Sequence, residues 1–173
     1  MATAPGARLI EAYVIGWEIH ARLRKASMRC DTSGYHPPGL LGPLAAAAAS
    51  AKMLGLDADG VRMALGIAAS HSGGLSANTG TMVKSTHPGA AARQGVESAL
   101  LAQAGFISRD GILEARRGFV ETVLGPGFDW DELGRDLGGD DDRHRVLGFC
   151  SLLDLAEKLV AVCRRCLIDI AGV

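Results

Sequence analysis

Two short stretches concentrate the residues able to do chemistry. Residues 34–39 read GYHPPG and carry His36 directly before two prolines. Residues 78–89 read NTGTMVKSTHPG and carry Lys84 and His87. Glycine lets a ligand approach the backbone, and proline limits the freedom of its neighbours. Loops held by rigid elements are favoured places for binding groups. A helix is expected after each stretch, so free N–H groups and a positive dipole end could receive an anion. Lys84, Arg93, His36 and His87 add positive charge, and their shared preference is a carboxylate or a phosphate. Each residue also has a plain reading. A histidine before Pro-Pro can simply bond backbone, and Lys84 can be a solvated surface lysine.

The other titratable groups read more plainly. His20 falls on an amphipathic helix and needs no function. His71 ends a helix that looks buried, where it would satisfy backbone groups. Arg116 and Arg117 read as a solvated face. Cys163 and Cys166 form CRRC, but two thiols supply only half of a zinc site, and Cys30 and Cys150 add no framework. No metal site is expected.

The elements that must position these groups read as helices throughout. Leu9, Ile10, Tyr13, Val14, Trp17 and Ala21 recur at three- and four-residue steps, which predicts a helix over 5–26. An alanine-rich helix over 40–54, closed by Gly55, reads as buried between others. Asp57 is a plausible N-cap for a helix over 58–69. Residues 70–88 read as irregular, followed by a helix over 90–104 closed by Gly105. Asp110 is expected to cap a short helix through Arg117, and a short acidic helix is expected over 130–137. Leu152, Leu155, Leu159, Val162, Cys166, Leu167 and Ile170 describe a final helix. No stretch alternates as a strand would, so the expected fold class is all-α.

Composition narrows the function classes. The 173 residues are 48 % hydrophobic, enough for a core and too many for a wholly disordered chain. A net charge of −1 cannot neutralise a phosphate backbone, and aromatics at 5 % are too scarce for stacking platforms, so nucleic acid is excluded as an expected partner. The longest apolar stretch, 40–51, is shorter than the roughly 20 residues a bilayer span needs. No basic leader precedes a cleavage site, and the thiols are not paired as a scaffold. The expectation is a reduced, cytoplasmic protein with no membrane contact.

The ordered combination HPPG, GTMVK and HPGAAARQG resembles the MmgE/PrpD family, over about residues 7–137. That family includes 2-methylcitrate dehydratase, cis-aconitate decarboxylase and iminodisuccinate epimerase. The resemblance implies an all-helical domain over 1–137 and a site for a small di- or tricarboxylate, with proton abstraction beside a carboxylate. It implies no metal and no organic cofactor. His36 matches the family's active-site histidine of the HP motif, and Lys84 the lysine of its second loop. These two are the expected catalytic residues. His87, Arg93, Asn78 and Thr81 are the expected substrate-binding residues. A lysine ammonium can hold a carboxylate and stabilise enolate charge. A histidine near neutral pKa can move the proton.

The sequence departs from the family in four places. Ser85 follows Lys84, where the family usually has proline. The family's DFDDTH-like motif, which supplies active-site Asp and His residues, does not occur. Its second, α+β domain has no counterpart after residue 137. An acidic connector, GGDDD and its surroundings over 138–145, leads instead into residues 146–173, which resemble the family's first helix. The expectation is a helical half without the whole active site. Two functions follow: a lyase or isomerase of the 2-methylcitrate dehydratase type, or a non-catalytic helical module that self-associates, as a homo-oligomer, or binds a carboxylate or a partner chain.

Overall fold

The computed structural model describes residues 6–27 and 33–134. Among them the chain is helical, and extended pairing is limited to two isolated bridges, Ser27 with Phe128 and Tyr35 with Leu75. The all-α expectation holds. The expected connector 138–145 and final helix 146–173 lie outside the described residues.

Helix α2 (Pro37–Leu54) is the central element. Leu40, Leu41, Leu44, Ala47, Ala48 and Ala51 are fully buried. A helix this apolar on all sides must be covered on all sides. The covers are α1 (Gly6–Ala26), α3 (Ala58–His71) and α4 (Met82–Gln103). Two signals turn α2 back into α3. Gly55 takes φ 74° and its N–H reaches the Lys52 carbonyl at 3.1 Å, closing the helix in the left-handed conformation glycine tolerates. The Asp57 carboxylate then accepts the Gly60 N–H at 2.8 Å. Such a cap contributes about 1 kcal/mol.

After α3 returns the chain, α4 lies along α2 in the same direction. A Cβ placed on Gly39 would sit 3.3 Å from the His87 Cβ, and one on Gly42 2.9 Å from the Ala91 Cβ. One on Gly95 would sit 2.3 Å from the Ala46 Cβ. The contacts 39–87, 42–91 and 46–95 advance together on both helices, so α2 and α4 are parallel and start side by side. Small residues at these crossings let the two backbones approach closely.

Three expectations change. First, α4 begins at Met82, with Pro88 inside it, rather than near residue 90. Proline withholds only the N–H that would meet the Lys84 carbonyl, and Lys84 is exposed, where water can replace that bond. Second, residues 110–118 form successive turns instead of a capped helix. The Asp110 carboxylate accepts the N–H of Gly111, which has φ 64°, and Arg117 has φ 59°. Left-handed residues at both ends prevent continuous helix. Third, α1 buries Ala12, Ile15, Ile19, Leu23 and Ala26. Leu9, Ile10, Tyr13 and Trp17, on which the helix was predicted, face outward and are 61, 42, 69 and 65 % exposed. The helix carries two apolar stripes, and packing against the alanines of α2 selects the one with Ile15 and Ile19.

The short helix α5 (Trp130–Gly134) closes on the end of α1. The Asp129 N–H reaches the Ala26 carbonyl at 2.8 Å, Arg22 donates to the Leu133 carbonyl at 3.0 Å, and Lys25 pairs with Glu132.

Candidate functional site

His36 is the N-cap of α2, in an extended conformation, and Pro37 and Pro38 open the helix. Proline suits these positions because its missing N–H has no helical partner there. The next two N–H groups, of Gly39 and Leu40, both point to the His36 carbonyl at 2.9 and 3.0 Å. The first turn of α2 therefore offers no free N–H to an anion, contrary to the sequence expectation. Its contribution is the imidazole of His36 and the positive end of the helix dipole.

A third proline, Pro43, fixes the floor of the site. Pro43 cannot donate to the Gly39 carbonyl, and the Gly73 N–H takes that place at 3.1 Å. His36 N–H donates to the Gly74 carbonyl at 3.0 Å, and Ser76 N–H to the Gly34 carbonyl at 2.9 Å. These three bonds tie the segment after α3 across the start of α2. Gly74 has φ 94°, and a Cβ there would meet the His87 Nδ1 at 3.1 Å. Only glycine combines that backbone with that proximity.

The first two turns of α4 supply the remaining groups. His87 is buried, and its Nδ1 lies 3.0 Å from the Nδ1 of His36. The two rings are tilted by 49° with centroids 5.1 Å apart. Lys84 lies three residues before His87, hence on the same face of the helix. It is exposed and makes no ion pair among the described residues. Burial lowers the affinity of His36 for a proton, and the charges of Lys84 and then His87 lower it further. Thr81, the N-cap of α4, does not cap its own helix. Its hydroxyl donates instead to the Asn78 carbonyl at 2.9 Å. The first N–H groups of α4 have no partner within an α-helix and no side-chain cap. The open helix start therefore lies at Met82, inside the second stretch, and not after it as expected.

The structure thus brings together His36, Lys84 and His87, with Asn78 and Thr81 forming the turn into α4. Arg93 is not brought to them. It is two turns further along α4, exposed, and bound through one guanidinium nitrogen to both carboxylate oxygens of Glu97 at 2.8 and 2.9 Å. His71 is exposed at the end of α3. Arg116 and Arg117 are exposed, as read from the sequence.

Two contributors were missed by sequence reasoning. Gly73 and Gly74 build the floor, and the paired glycines after α3 were the available signal. His20 donates to the backbone carbonyl of Pro37, which bears on the turn holding His36. Nothing in the sequence links position 20 to position 37.

The two lowered histidines set a direction for pH dependence. Burial and Arg24 hold His20 below the ordinary imidazole range, and His36 is lowered as described. The unfolded chain therefore binds protons at higher pH than the folded chain. Stability is expected to fall as pH drops below about 6.5, and to gain nothing from these groups above it. Urea midpoints at pH 7.5 and 5.5 check this. The midpoint should be lower at pH 5.5, and His36→Gln should reduce the difference. A difference unaltered by both His36→Gln and His20→Gln contradicts it.

A family model described as the MmgE/PrpD N-terminal domain matches residues 1–131. The cis-aconitate decarboxylase of Homo sapiens is 38 % identical over 116 residues, which is 66 % of this chain and 24 % of that protein. That of Mus musculus is 39 % identical over 116 residues, with the same coverage. That of Aspergillus terreus is 40 % identical over 119 residues, 67 % of this chain and 24 % of that protein. The chain spans about a quarter of the length of the curated relatives it matches.

Proposed function

The chain belongs to the MmgE/PrpD family, and from that premise we propose that the His36–Lys84 corner serves a lyase or isomerase reaction on a small di- or tricarboxylate. The observation that carries this reading is the placement of His36 and Lys84 at the adjacent starts of two parallel helices, with His87, on the Lys84 face of α4, 3.0 Å from His36. The Lys84 ammonium and the uncapped N–H groups of α4 hold a substrate carboxylate. His36, whose proton affinity is lowered, is the base that removes the neighbouring proton. As the proton leaves, charge moves onto the carboxylate, where Lys84 stabilises it. The same first step serves dehydration or epimerisation; in decarboxylation the bond to the departing carbon dioxide supplies the electron pair, and His36 in its protonated form delivers the proton to carbon.

Cis-aconitate is the first compound to test, because the relatives named above are decarboxylases of it. The protein is incubated with cis-aconitate, and separately with citrate, in deuterated water, and the products are followed by proton NMR. We expect deuterium incorporation or conversion, and a loss of about 10²–10⁴-fold in rate for His36→Ala. Turnover that survives this substitution contradicts the role of His36.

A second reading is a non-catalytic module that associates with itself. The outward apolar residues of α1, Leu9, Ile10, Tyr13 and Trp17, favour it. Contiguous exposed apolar surface marks association sites. Light scattering is expected to show a species larger than one chain, and a monodisperse monomer at high concentration contradicts association.

A further inference from the structure

His36 and His87 meet through the same ring nitrogen, Nδ1 to Nδ1, at 3.0 Å. A hydrogen bond there requires one Nδ1 to carry a proton and the other to lack it. We propose that His87 is the positioning partner of His36: its Nδ1 accepts the Nδ1–H of His36, which leaves the His36 Nε2 with the lone pair, and the two rings together take up one proton, not two. The proposal rests on the reading of His36 as the base, since a base needs an unprotonated nitrogen on the less buried ring.

The proton count follows from the geometry. The neutral pair holds two ring protons, one on the His36 Nδ1 and one on the His87 Nε2. A third proton, taken from a substrate, goes to the His36 Nε2. The resulting imidazolium keeps its bond to the His87 Nδ1, so the charge is stabilised inside the pair. A fourth proton would place two N–H groups head to head at 3.0 Å, and the contact must then break. His87 cannot withdraw easily, because Gly74 lies against its ring and Gly39 against its Cβ. The Gly74 carbonyl also holds the His36 N–H, so one residue fixes both partners.

The surrounding charges favour the singly protonated pair. Lys84 of α4 acts on His36 directly. From α1, His20 reaches the Pro37 carbonyl, with Arg24 beside it. The segment 72–79 packed across the site contains no titratable side chain. Lys84, His20 and Arg24 are all bases, and each opposes a second positive charge on the pair.

Nitrogen NMR of the protein labelled in its histidine rings tests this without any turnover. At pH 7.5 we expect His36 protonated on Nδ1 and bare on Nε2, with His87 the reverse. On acidification one proton should enter while the ring-to-ring contact persists, and a second only as the contact is lost. His87→Asn, whose side-chain oxygen can replace the accepting Nδ1, should preserve the His36 tautomer. His87→Leu should abolish that preference. If His87→Leu does not fold, the spectrum of the unaltered protein still decides. A His36 protonated on Nε2 at pH 7.5, or two imidazolium rings with the contact intact, overturns the proposal even if the protein turns over. Absence of turnover with the expected tautomers would instead remove the enzymatic reading and leave the pair standing.

Discussion

Gly95→Val is expected to abolish cooperative folding. Gly95 lies where α4 crosses α2, and even a single Cβ there would fall 2.6 Å from both the Ala46 carbonyl carbon and the Ala47 nitrogen. These are backbone atoms of a fully packed helix and cannot rotate away. Alanine at this position must push the helices apart, and overpacking of this kind costs about 1–3 kcal/mol. Valine adds two more carbons at the same crossing. Domains of this size have only about 5–15 kcal/mol of total stability. Separating α2 from α4 also opens the close crossings at Gly39, Gly42 and Ala46. Urea unfolding followed by circular dichroism checks both variants. Gly95→Ala should lower the midpoint clearly, and Gly95→Val should show no cooperative transition. A wild-type midpoint for Gly95→Val contradicts the parallel, close-packed arrangement that sets the two helix starts side by side.

The second large effect is expected at Lys84. Replacing it with methionine keeps most of the side chain's length and removes its charge. A charge-assisted hydrogen bond contributes about 1.5–3 kcal/mol, so carboxylate affinity should drop by about 10- to 100-fold. Fold stability should change little, because the side chain is exposed and makes no ion pair among the described residues. Lys84→Arg should recover part of the affinity, since charge is restored with a different shape. Isothermal titration of the three proteins with cis-aconitate gives the comparison. Equal affinities for the unaltered protein and Lys84→Met contradict the role assigned to Lys84.

Much of this was legible in the residues, for local reasons. Gly55 and Asp57 marked the α2–α3 turn because a left-handed cap and a carboxylate N-cap act within four residues. The all-round apolar character of α2 announced a central helix. What was not legible depended on tertiary contacts. Pro88 read as a helix breaker, yet the helix runs through it because an exposed carbonyl costs little there. The outward face of α1 could not be told from its inward face by spacing, since both stripes are apolar. Arg93 shared the sign expected of an anion site, and only the structure shows it held by Glu97. The loss of N–H donors at the start of α2 was implicit in Pro37 and Pro38. It became plain only when Gly39 and Leu40 were seen bonded to His36. The meeting of His36 with Lys84 and His87 rested on resemblance at first. Parallel packing of α2 and α4 supplies its physical cause.

The claim that these helix starts form one carboxylate site has a direct measurement. The labelled protein is titrated with cis-aconitate while every backbone amide is followed by NMR. Saturable shifts are expected at the amides of Gly73, Gly74, Met82, Val83 and Lys84, and in the rings of His36 and His87. Amides around Arg93 and the exposed face of α1 should stay in place. No saturable shift, or shifts centred on Arg93 instead, would contradict the site.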